Sequence, residues 1–268
     1  MVHKAYIPSK LVGIVDLIWE QEMEKPGTFT ILPSGKVEII FPFYPVKQLQ
    51  AVKISARDNP VNNYSCFLSG LHTRPLKMEF DRFHALGIQM KPVSVKALFG
   101  IPLSKIRNYF VEGSLIIDDF AFIQEQLFSG KTFLERAKCL EDFLLSIIQE
   151  TSELHEALHL DRCIRKLIHQ NQFGAGRSVQ NMMGYSRTHT FRLFNDWFGT
   201  SAHSYQNLIQ FVRATAALHQ PGLKLTAAGL YGGYYDQSHF IRKFQAYAAM
   251  TPGAYRKQMS GLPGLLFG

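Results

Sequence analysis

An internal repeat with a period of about fifty residues constrains this sequence more than any other feature. Arg192-Leu193-Phe194 aligns with Arg242-Lys243-Phe244, fifty positions later. At the same offset, Ser201 aligns with Thr251, Ala202 with Pro252, and Tyr205 with Tyr255. Upstream, Gly184-Tyr185 aligns with Gly233-Tyr234 at an offset one residue shorter. A repeat of this length indicates one supersecondary unit that occurs twice.

Each copy contains the parts of a helix-turn-helix. Gly184 and Gly233 supply a turn that can adopt positive φ between two helices. The second helix needs an apolar inner face, which Phe191 or Phe194 can supply in the first copy and Phe240 and Phe244 in the second. Its polar outer face is predicted to lie along base edges in the major groove. The residues on that face are Arg187, Thr188, His189 and Arg192 in the first copy, and Gln237, Ser238, His239, Arg242 and Lys243 in the second.

A helix is predicted between the two copies, over residues 208–219. Gln220-Pro221-Gly222 ends it, because proline cannot continue a helix and glycine favours the residue after its end. We expect this helix to hold the two units at a fixed separation, so that both recognition helices meet one face of double-stranded DNA.

The second copy carries a long, specific motif. Residues 233–244, Gly-Tyr-Tyr-Asp-Gln-Ser-His-Phe-Ile-Arg-Lys-Phe, precede Thr251-Pro252-Gly253-Ala254-Tyr255-Arg256. This pattern resembles the signature of the AraC/XylS family of transcription regulators, over roughly residues 160–257. The resemblance implies a domain of about seven helices. It also implies that Thr188, Arg192, Gln237, Ser238, His239 and Arg242 lie where relatives contact DNA.

The chain departs from that pattern at a few positions. Relatives usually have Phe-Gly where this chain has Ala248-Ala249, and alanine where it has Gln180 and Gly229. Glycine in a helix costs about 1 kcal/mol relative to alanine, so we expect a less stable second unit. Phe191 replaces a residue that is often polar in relatives. It either contacts a thymine methyl group or packs in the core.

The charge distribution agrees with a DNA-binding C-terminal part. Residues 1–160 carry 17 Lys and Arg against 18 Asp and Glu, whereas residues 161–268 carry 12 against 3, within a net charge of +8. A near-neutral part joined to a strongly basic one is typical of a polyanion-binding domain attached to a second domain. The alternative is a basic face without a function.

The first half mixes strand and helix patterns. Apolar residues from Leu11 to Trp19 have helical spacing after Pro8-Ser9 and predict a first helix. Alternating residues 29–31 and 37–41 predict two strands around Pro33-Ser34-Gly35, and residues 66–68, 76–80 and 85–90 predict further short strands. Several short strands separated by turn residues favour a small β-barrel or sandwich.

Three helices are predicted after Pro92. The first includes Val95 and ends at Gly100, the second spans residues 118–128, and the third opens at Thr132 with Glu135 in a capping box. The third helix has an apolar stripe, which either packs in the core or forms a dimer. Its members are Leu140, Phe143, Leu144, Ile147 and Ile148.

The predicted fold class is therefore α+β. Residues 1–150 form a small β-barrel or sandwich with helices, as a sensor or dimerisation domain, and residues 160–258 form an all-α double helix-turn-helix domain. The polar residues 151–159 are interpreted as the boundary, and no strand is expected beyond residue 160. The first half also resembles the β-rich sensor domain of a subset of the family. The matching residues are Tyr6-Ile7-Pro8, Trp19, Leu32-Pro33-Ser34-Gly35, Glu38, Gly70, Arg74-Pro75, Gly87-Ile88, Pro92 and Leu98-Phe99-Gly100.

Three polar residues are candidates for binding a small effector. Glu38, His72 and Arg74 could line a pocket for an anionic molecule, or could be ordinary polar residues of the barrel. The clustered histidines of a metal-binding barrel are absent, so no metal and no cofactor are predicted.

Other classes of protein are not favoured. No apolar run reaches the length of a membrane span, and Asp16 and Glu20 interrupt the only apolar stretch that could serve as a signal peptide. Cys66, Cys139 and Cys163 are widely spaced and odd in number, which favours a reducing cytoplasm. No catalytic set stands out, so we do not expect an enzyme.

The sequence therefore predicts a transcription regulator, activator or repressor, in the bacterial cytoplasm. Its expected partners are double-stranded DNA, a small effector, a second copy of the chain and RNA polymerase. One alternative is a small-molecule-binding protein whose DNA-binding domain has decayed. Another, an enzyme with an appended DNA module, lacks a reactive cysteine in a fitting context.

Overall fold

The computed structural model describes residues 2–44, 48–50, 53–54, 66–117, 119–148, 152–169, 180–181, 184–261 and 264–267. The first part is built on strands, and the second on helices. The strands are β1 Val2–Tyr6, β2 Val15–Met23, β3 Gly27–Ile31, β4 Val37–Pro42, β5 Gln48–Gln50, β6 Lys53–Ile54, β7 Phe67–Ser69, β8 Leu76–Phe80, β9 Phe83–Met90, β10 Tyr109–Glu112 and β11 Leu265–Phe267. The helices are α1 Val93–Phe99, α2 Asp119–Ser129, α3 Phe133–Ile147, α4 Ser152–His169, α5 Arg187–Phe198, α6 Ala202–Leu218, α7 Leu225–Gly232, α8 Gln237–Ala248 and α9 Pro252–Gln258.

Two sheets face each other in the N-terminal part. The larger has the order β1-β2-β9-β4-β7-β10-β6, and the smaller has the order β11-β3-β8-β5. Phe29 and Met78 of the smaller sheet pack against Phe83 and Ala85 of the larger one. The arrangement agrees with the predicted sandwich. The strands predicted on either side of Pro33-Ser34-Gly35 are present, although β3 and β4 belong to different sheets rather than to one hairpin.

The other face of the larger sheet is covered by helices. Ile39 and Ile88 share one core with Phe120 of α2 and Leu140 and Leu144 of α3. The predicted capping box is present, because Thr132 and Glu135 exchange hydrogen bonds at the start of α3. The apolar stripe of α3 is therefore a core stripe and is not available as a dimer interface. Leu140 and Leu144 are fully buried and Phe143 nearly so, while Ile147 and Ile148 pack partly buried on the same core.

The helix predicted over residues 11–19 is wrong. Ser9–Leu11 forms a short 3-10 turn, and the chain then continues as strand β2. β2 pairs with β1 on one side and with β9 on the other. These ladder hydrogen bonds, formed with residues up to 75 positions away, outweigh a local spacing that also fits a helix.

The segment interpreted as the domain boundary is helical, and the expectation of no strand beyond residue 160 is wrong. Residues 152–159, interpreted as part of a boundary segment, are the first turns of α4, where Leu154 and Ala157 are buried. Strand structure also returns after residue 160, since β11 pairs antiparallel with β3. The C-terminal segment thus crosses back to the N-terminal sheet. Among the described helices, none combines the length and apolar content that crossing a bilayer requires.

Candidate DNA interface and ligand cavity

The two sequence repeats fold into equivalent units. Gly184 and Gly233 adopt positive φ, 68° and 85°, immediately before the two recognition helices. Ser186 caps α5 by accepting a hydrogen bond from the backbone of His189, at 3.2 Å. Fifty positions later, Asp236 caps α8 by accepting one from the backbone of His239, at 2.7 Å. A positive-φ glycine and a side-chain cap thus fix where each recognition helix begins, although the second turn is one residue longer.

The helices that follow also begin at equivalent residues. Ser201 caps α6 and accepts from the backbone of Ser204, at 3.2 Å, while Thr251 caps α9 and accepts from the backbone of Ala254, at 3.1 Å. The predicted linker helix corresponds to the second half of α6, which ends before Pro221. Each copy therefore contains a recognition helix and a following helix, α5 and α6 in the first copy and α8 and α9 in the second, that begin at equivalent residues.

The outer face of α5 is exposed as predicted. Arg187, Thr188 and Arg192 are exposed, while Leu193 and Phe194 pack inward. Phe191 is 61% exposed, so it is not a core residue, and Phe194 fills that role in the first unit. Spacings of three and four residues place Thr188, Phe191 and Arg192 on one side of the helix.

His189 is partly engaged within the protein. Its ring meets the ring of Tyr185 edge to face at 4.4 Å, and its Nε2 lies 3.8 Å from Oε1 of Glu156 on α4. The hydroxyl of Tyr185 donates a hydrogen bond to the same carboxylate. His189 therefore remains half-exposed beside an acidic group, which makes it a weaker candidate for a base contact than its neighbours.

The outer face of α8 presents a similar set. Gln237, Ser238 and Arg242 are exposed, whereas His239 and Lys243 are half-buried. Phe240, Phe244 and Ala248 form the buried face, as the sequence predicted for the two phenylalanines. Neither recognition helix carries an acidic residue in its first turn.

The departures in the second unit have distinct structural effects. Ala249 ends α8 with a φ of 55°, a left-handed conformation that L-residues other than glycine adopt at a cost. Gly229 has the opposite effect, because a Cβ there would lie only 2.9 Å from the ring of the buried Phe240. The expected weakness therefore lies at Ala249, while Gly229 fits its neighbour.

A cavity of about 380 Å³ lies between the two sheets. Its wall is mainly apolar and aromatic, and its lining residues come from both sheets. They are His3, Leu17, Trp19, Gln21, Phe29, Ile31, Leu32, Ser34, Lys36, Glu38, Ile40, Pro42, Phe67, Ser69, His72, Leu76, Met78, Phe83, Gln89, Phe110, Gly264 and Leu265. Glu38 and His72 are thus brought together in one cavity, whereas Arg74 is exposed and does not line it.

The two titratable candidates in this cavity are held by neutral partners. Glu38 accepts a hydrogen bond from Nε2 of Gln89, at 2.9 Å, and burial raises the pKa of its carboxyl group. The Nε2 atom of His72 lies 2.8 Å from Oγ of Ser69, and burial lowers the pKa of His72 to about 4. His72 is therefore neutral at physiological pH.

The cavity touches the DNA-binding part at two places. Its wall includes Gly264 and Leu265, and the backbone of Gly264 bonds to Leu32 on one side and to the Tyr255 hydroxyl on the other. At the second place, Gly35 lies between the lining residues Ser34 and Lys36, and a Cβ there would meet Ile209 of α6 at 3.1 Å. A change in the cavity can thus reach both α6 and α9 through direct contacts.

Sequence reasoning missed several residues of this site. Gln89 on β9 and Trp19 on β2 bond to Glu38 on β4, and this arrangement depends on a strand order and register that no local pattern reveals. Tyr255 was found only as a member of the repeat, because β11 gave no separate signal. In the described part of the chain, no group of three His, Cys, Asp or Glu side chains is placed to hold a metal ion.

Comparison with known proteins gives two family matches. A family described as a helix-turn-helix domain matches residues 179–258, and a domain of unknown function (DUF6597) matches residues 4–112. The Msm operon regulatory protein of Streptococcus mutans is 24% identical over 51% of this chain and 49% of its own length. The uncharacterized regulator YbfP of Bacillus subtilis is 28% identical over 38% of this chain and 36% of its own. The chain thus spans half or less of the length of these two curated relatives.

Solved structures give a similar fold over nearly the whole chain. ToxT from Vibrio cholerae, 11% identical, matches with a TM-score of 0.52 over 97% of this chain and 100% of its own. ToxT bound to an unsaturated fatty acid, 13% identical, matches with a TM-score of 0.52 over 91% and 95%. With the repeat, its caps and the motif of the second unit, the match over residues 179–258 shows that the C-terminal part is a helix-turn-helix domain of the AraC type, while the solved structures show that the chain shares their fold.

Proposed function

We propose that this protein is a sequence-specific DNA-binding transcription regulator whose activity responds to a small molecule in the N-terminal cavity. The observation that carries the proposal is the pair of equivalent recognition helices. Each has a capped N-terminus and an exposed polar face that includes at least one arginine. Arginine can bond both acceptors of guanine in the major groove, and glutamine can bond adenine in the same way.

The basic charge of the C-terminal part supports the same proposal. Residues 161–268 carry 12 Lys and Arg against 3 acidic residues. Of those three acids, Asp161 is buried against Arg165 and Asp236 caps a helix, so both are already engaged. A phosphate backbone therefore meets a surface with few competing anions, which favours association with any duplex and positions the base-reading side chains.

The role of the cavity rests on its size and its contacts. A largely apolar cavity of about 380 Å³ with a few polar groups has the character of a small-molecule site. Two of its lining residues belong to the C-terminal segment, which Tyr255 joins to the second unit. The similar protein ToxT has been crystallised with an unsaturated fatty acid, which supports a ligand-binding role for this kind of N-terminal domain.

The competing function is a ligand-binding protein whose DNA-binding domain has decayed. The left-handed Ala249 is the observation in its favour. Against it stand the intact caps at Ser186 and Asp236 and the fully buried Phe240 and Phe244. We further propose that the regulator works in the cytoplasm, as a homodimer and with RNA polymerase as a partner. No catalytic activity is part of the proposal.

Binding of the full chain to duplex DNA across a range of salt concentrations tests this proposal. With roughly 6 to 10 phosphate contacts, the affinity should fall by about 10³ to 10⁵ between 50 and 200 mM salt. The double substitution Arg192→Glu with Arg242→Glu should abolish binding. A matched control, Lys25→Glu with Lys138→Glu, makes the same charge change at exposed positions of the N-terminal domain and should retain it. Absence of binding by the wild-type chain at low salt would favour the decayed domain.

A further inference from the structure

The cavity holds a carboxyl group that has no ionic partner in the described residues. Glu38 lines the cavity, and no described Lys, Arg or His forms an ion pair with it. Its hydrogen bonds come from neutral donors, Gln89 on β9 and Trp19 on β2. Burying an ionised carboxylate without a countercharge is costly. A cation bound beside Glu38 would supply that countercharge.

The glycine opposite Trp19 fixes this arrangement. Gly87 pairs with Trp19 in the β2–β9 ladder, and a Cβ on Gly87 would lie 2.2 Å from atoms of the indole ring. Only a glycine lets the ring lie directly across β9 and bond to Glu38. The indole therefore forms part of the wall beside the carboxyl group.

The remaining wall is rich in aromatic rings. Phe67 and Phe110 meet edge to face at 5.4 Å, and Phe29 and Phe83 do so at 4.9 Å. All four line the cavity together with Trp19. Aromatic faces attract cations, most strongly where water is excluded. A carboxyl group and several aromatic rings in one cavity are the two features that an organic cation requires.

Two basic residues of the lining, Lys36 and His72, are already engaged by other groups. Lys36 is paired with Asp16, outside the contacts of Glu38. His72 bonds to Ser69, and burial lowers its pKa to about 4. Arg74 lies on the surface, outside the lining, and His3 is exposed. An anion entering beside Glu38 would meet its carboxyl group, while Lys36 and His72 are already engaged by Asp16 and Ser69.

We propose that the cavity binds an organic cation, an amine with an apolar aromatic or alkyl body, whose ammonium group pairs with Glu38 among the aromatic rings. This inference deepens the proposed function by naming the chemical class of its effector. The proposed ligand differs in charge from the unsaturated fatty acid with which the similar ToxT was crystallised. The volume of about 380 Å³ suits a molecule of that kind.

Three probes of equal length and different charge test the proposal on the full chain. They are 4-phenylbutylamine, 4-phenylbutanol and 4-phenylbutyrate, measured by isothermal titration calorimetry at neutral pH. The amine should bind at least about tenfold more tightly than the alcohol, since an ion pair and a cation–π contact are added. The carboxylate should bind most weakly. Tighter binding of the carboxylate, or equal binding of all three, would overturn the proposal.

The matched variants are Glu38→Gln and Glu24→Gln. Glu38→Gln keeps the shape but removes the charge, and it should abolish the preference for the amine; an undiminished preference would contradict the role of Glu38. Glu24→Gln, at an exposed position outside the cavity, should leave the affinities of the three probes unchanged. If Glu38→Gln does not fold, the order of the three affinities in the wild-type protein still decides. DNA binding without a ligand is measured separately, so failure here leaves the proposed DNA-binding function untouched.

Discussion

The hydroxyl of Tyr255 accepts a hydrogen bond from the backbone nitrogen of Gly264, at 2.9 Å. Tyr255 is fully buried in α9, and its hydroxyl also lies 2.8 Å from Nε2 of His219, just after α6. Gly264 lines the cavity and precedes β11, which pairs with β3. One hydroxyl group therefore links the second helix-turn-helix unit to the wall of the ligand cavity.

Removing that hydroxyl should loosen β11. Tyr255→Phe keeps the ring in the core but removes both hydrogen bonds, so the free energy of unfolding should fall by about 1 kcal/mol. Hydrogen exchange at the backbone amides of Leu265–Phe267 should become faster. Tyr231→Phe, at an exposed position, serves as the control and should change neither quantity. Unchanged exchange in β11 would show that Tyr255 does not hold this strand.

The left-handed Ala249 should be improved by glycine. At a φ of 55° the methyl group of alanine is unfavourable, and part of the gain on its removal is offset by the greater freedom of glycine in the unfolded chain. Ala249→Gly should therefore raise the free energy of unfolding by about 0.5–1 kcal/mol, measured by urea denaturation. Ala246→Gly, inside α8 on its exposed side, should lower it by about 1 kcal/mol. A lower free energy of unfolding in Ala249→Gly would show that the left-handed conformation of Ala249 is not strained.

His72 should make stability depend on pH in the acidic range. Its pKa is lowered from 6.5 to about 4 in the folded protein, so between these values the unfolded chain binds a proton that the folded chain does not. The contribution of neutral His72 to the free energy of unfolding is fully present above pH 6.5. It is lost as the pH drops towards 4, by up to about 3 kcal/mol. Denaturation of His72→Gln across this range should show a shallower fall. His3→Gln, at an exposed position, should follow the wild-type curve.

Phe191 should contribute to reading thymine. Its ring is exposed beside Thr188 and Arg192, and an apolar side chain in the major groove can contact the thymine methyl group. Phe191→Ala should weaken binding to the selected site, and replacing one thymine there by uracil should weaken the wild-type protein similarly. If replacing thymine by uracil lowers the affinity of the wild type and of Phe191→Ala equally at every position, Phe191 does not contact a thymine methyl group.

The recognition helices could be predicted because their signals are local. Ser186, Asp236 and the glycines before them are caps and turns that act within four residues, and the repeat displays each of them twice. The sequence could not decide that Phe194 is buried and Phe191 exposed. Either residue can lie on the inner face of the helix, depending on which side of the helix packs against the core.

The cavity could not be predicted, because its residues come together through contacts that are distant in the sequence. Its lining comes from strands that pair across long stretches of chain, such as β2 with β9 and β3 with β11. Leu11 to Trp19 fit a helix until those partners are known. Glu38 and His72 converge, but Arg74 follows His72 by only two residues and still lies on the surface.

A competition between the selected DNA site and a scrambled duplex at matched salt tests most directly whether both helix-turn-helix units read bases. Arg242 is exposed on the recognition face of α8, whereas Lys257 is exposed at the end of α9. Arg242→Ala should weaken binding to the selected site by about 1–3 kcal/mol and affect the scrambled duplex much less. Lys257→Ala should weaken both duplexes about equally and reduce the salt slope by about one. A specificity ratio that Arg242→Ala leaves unchanged would contradict base reading by the second unit.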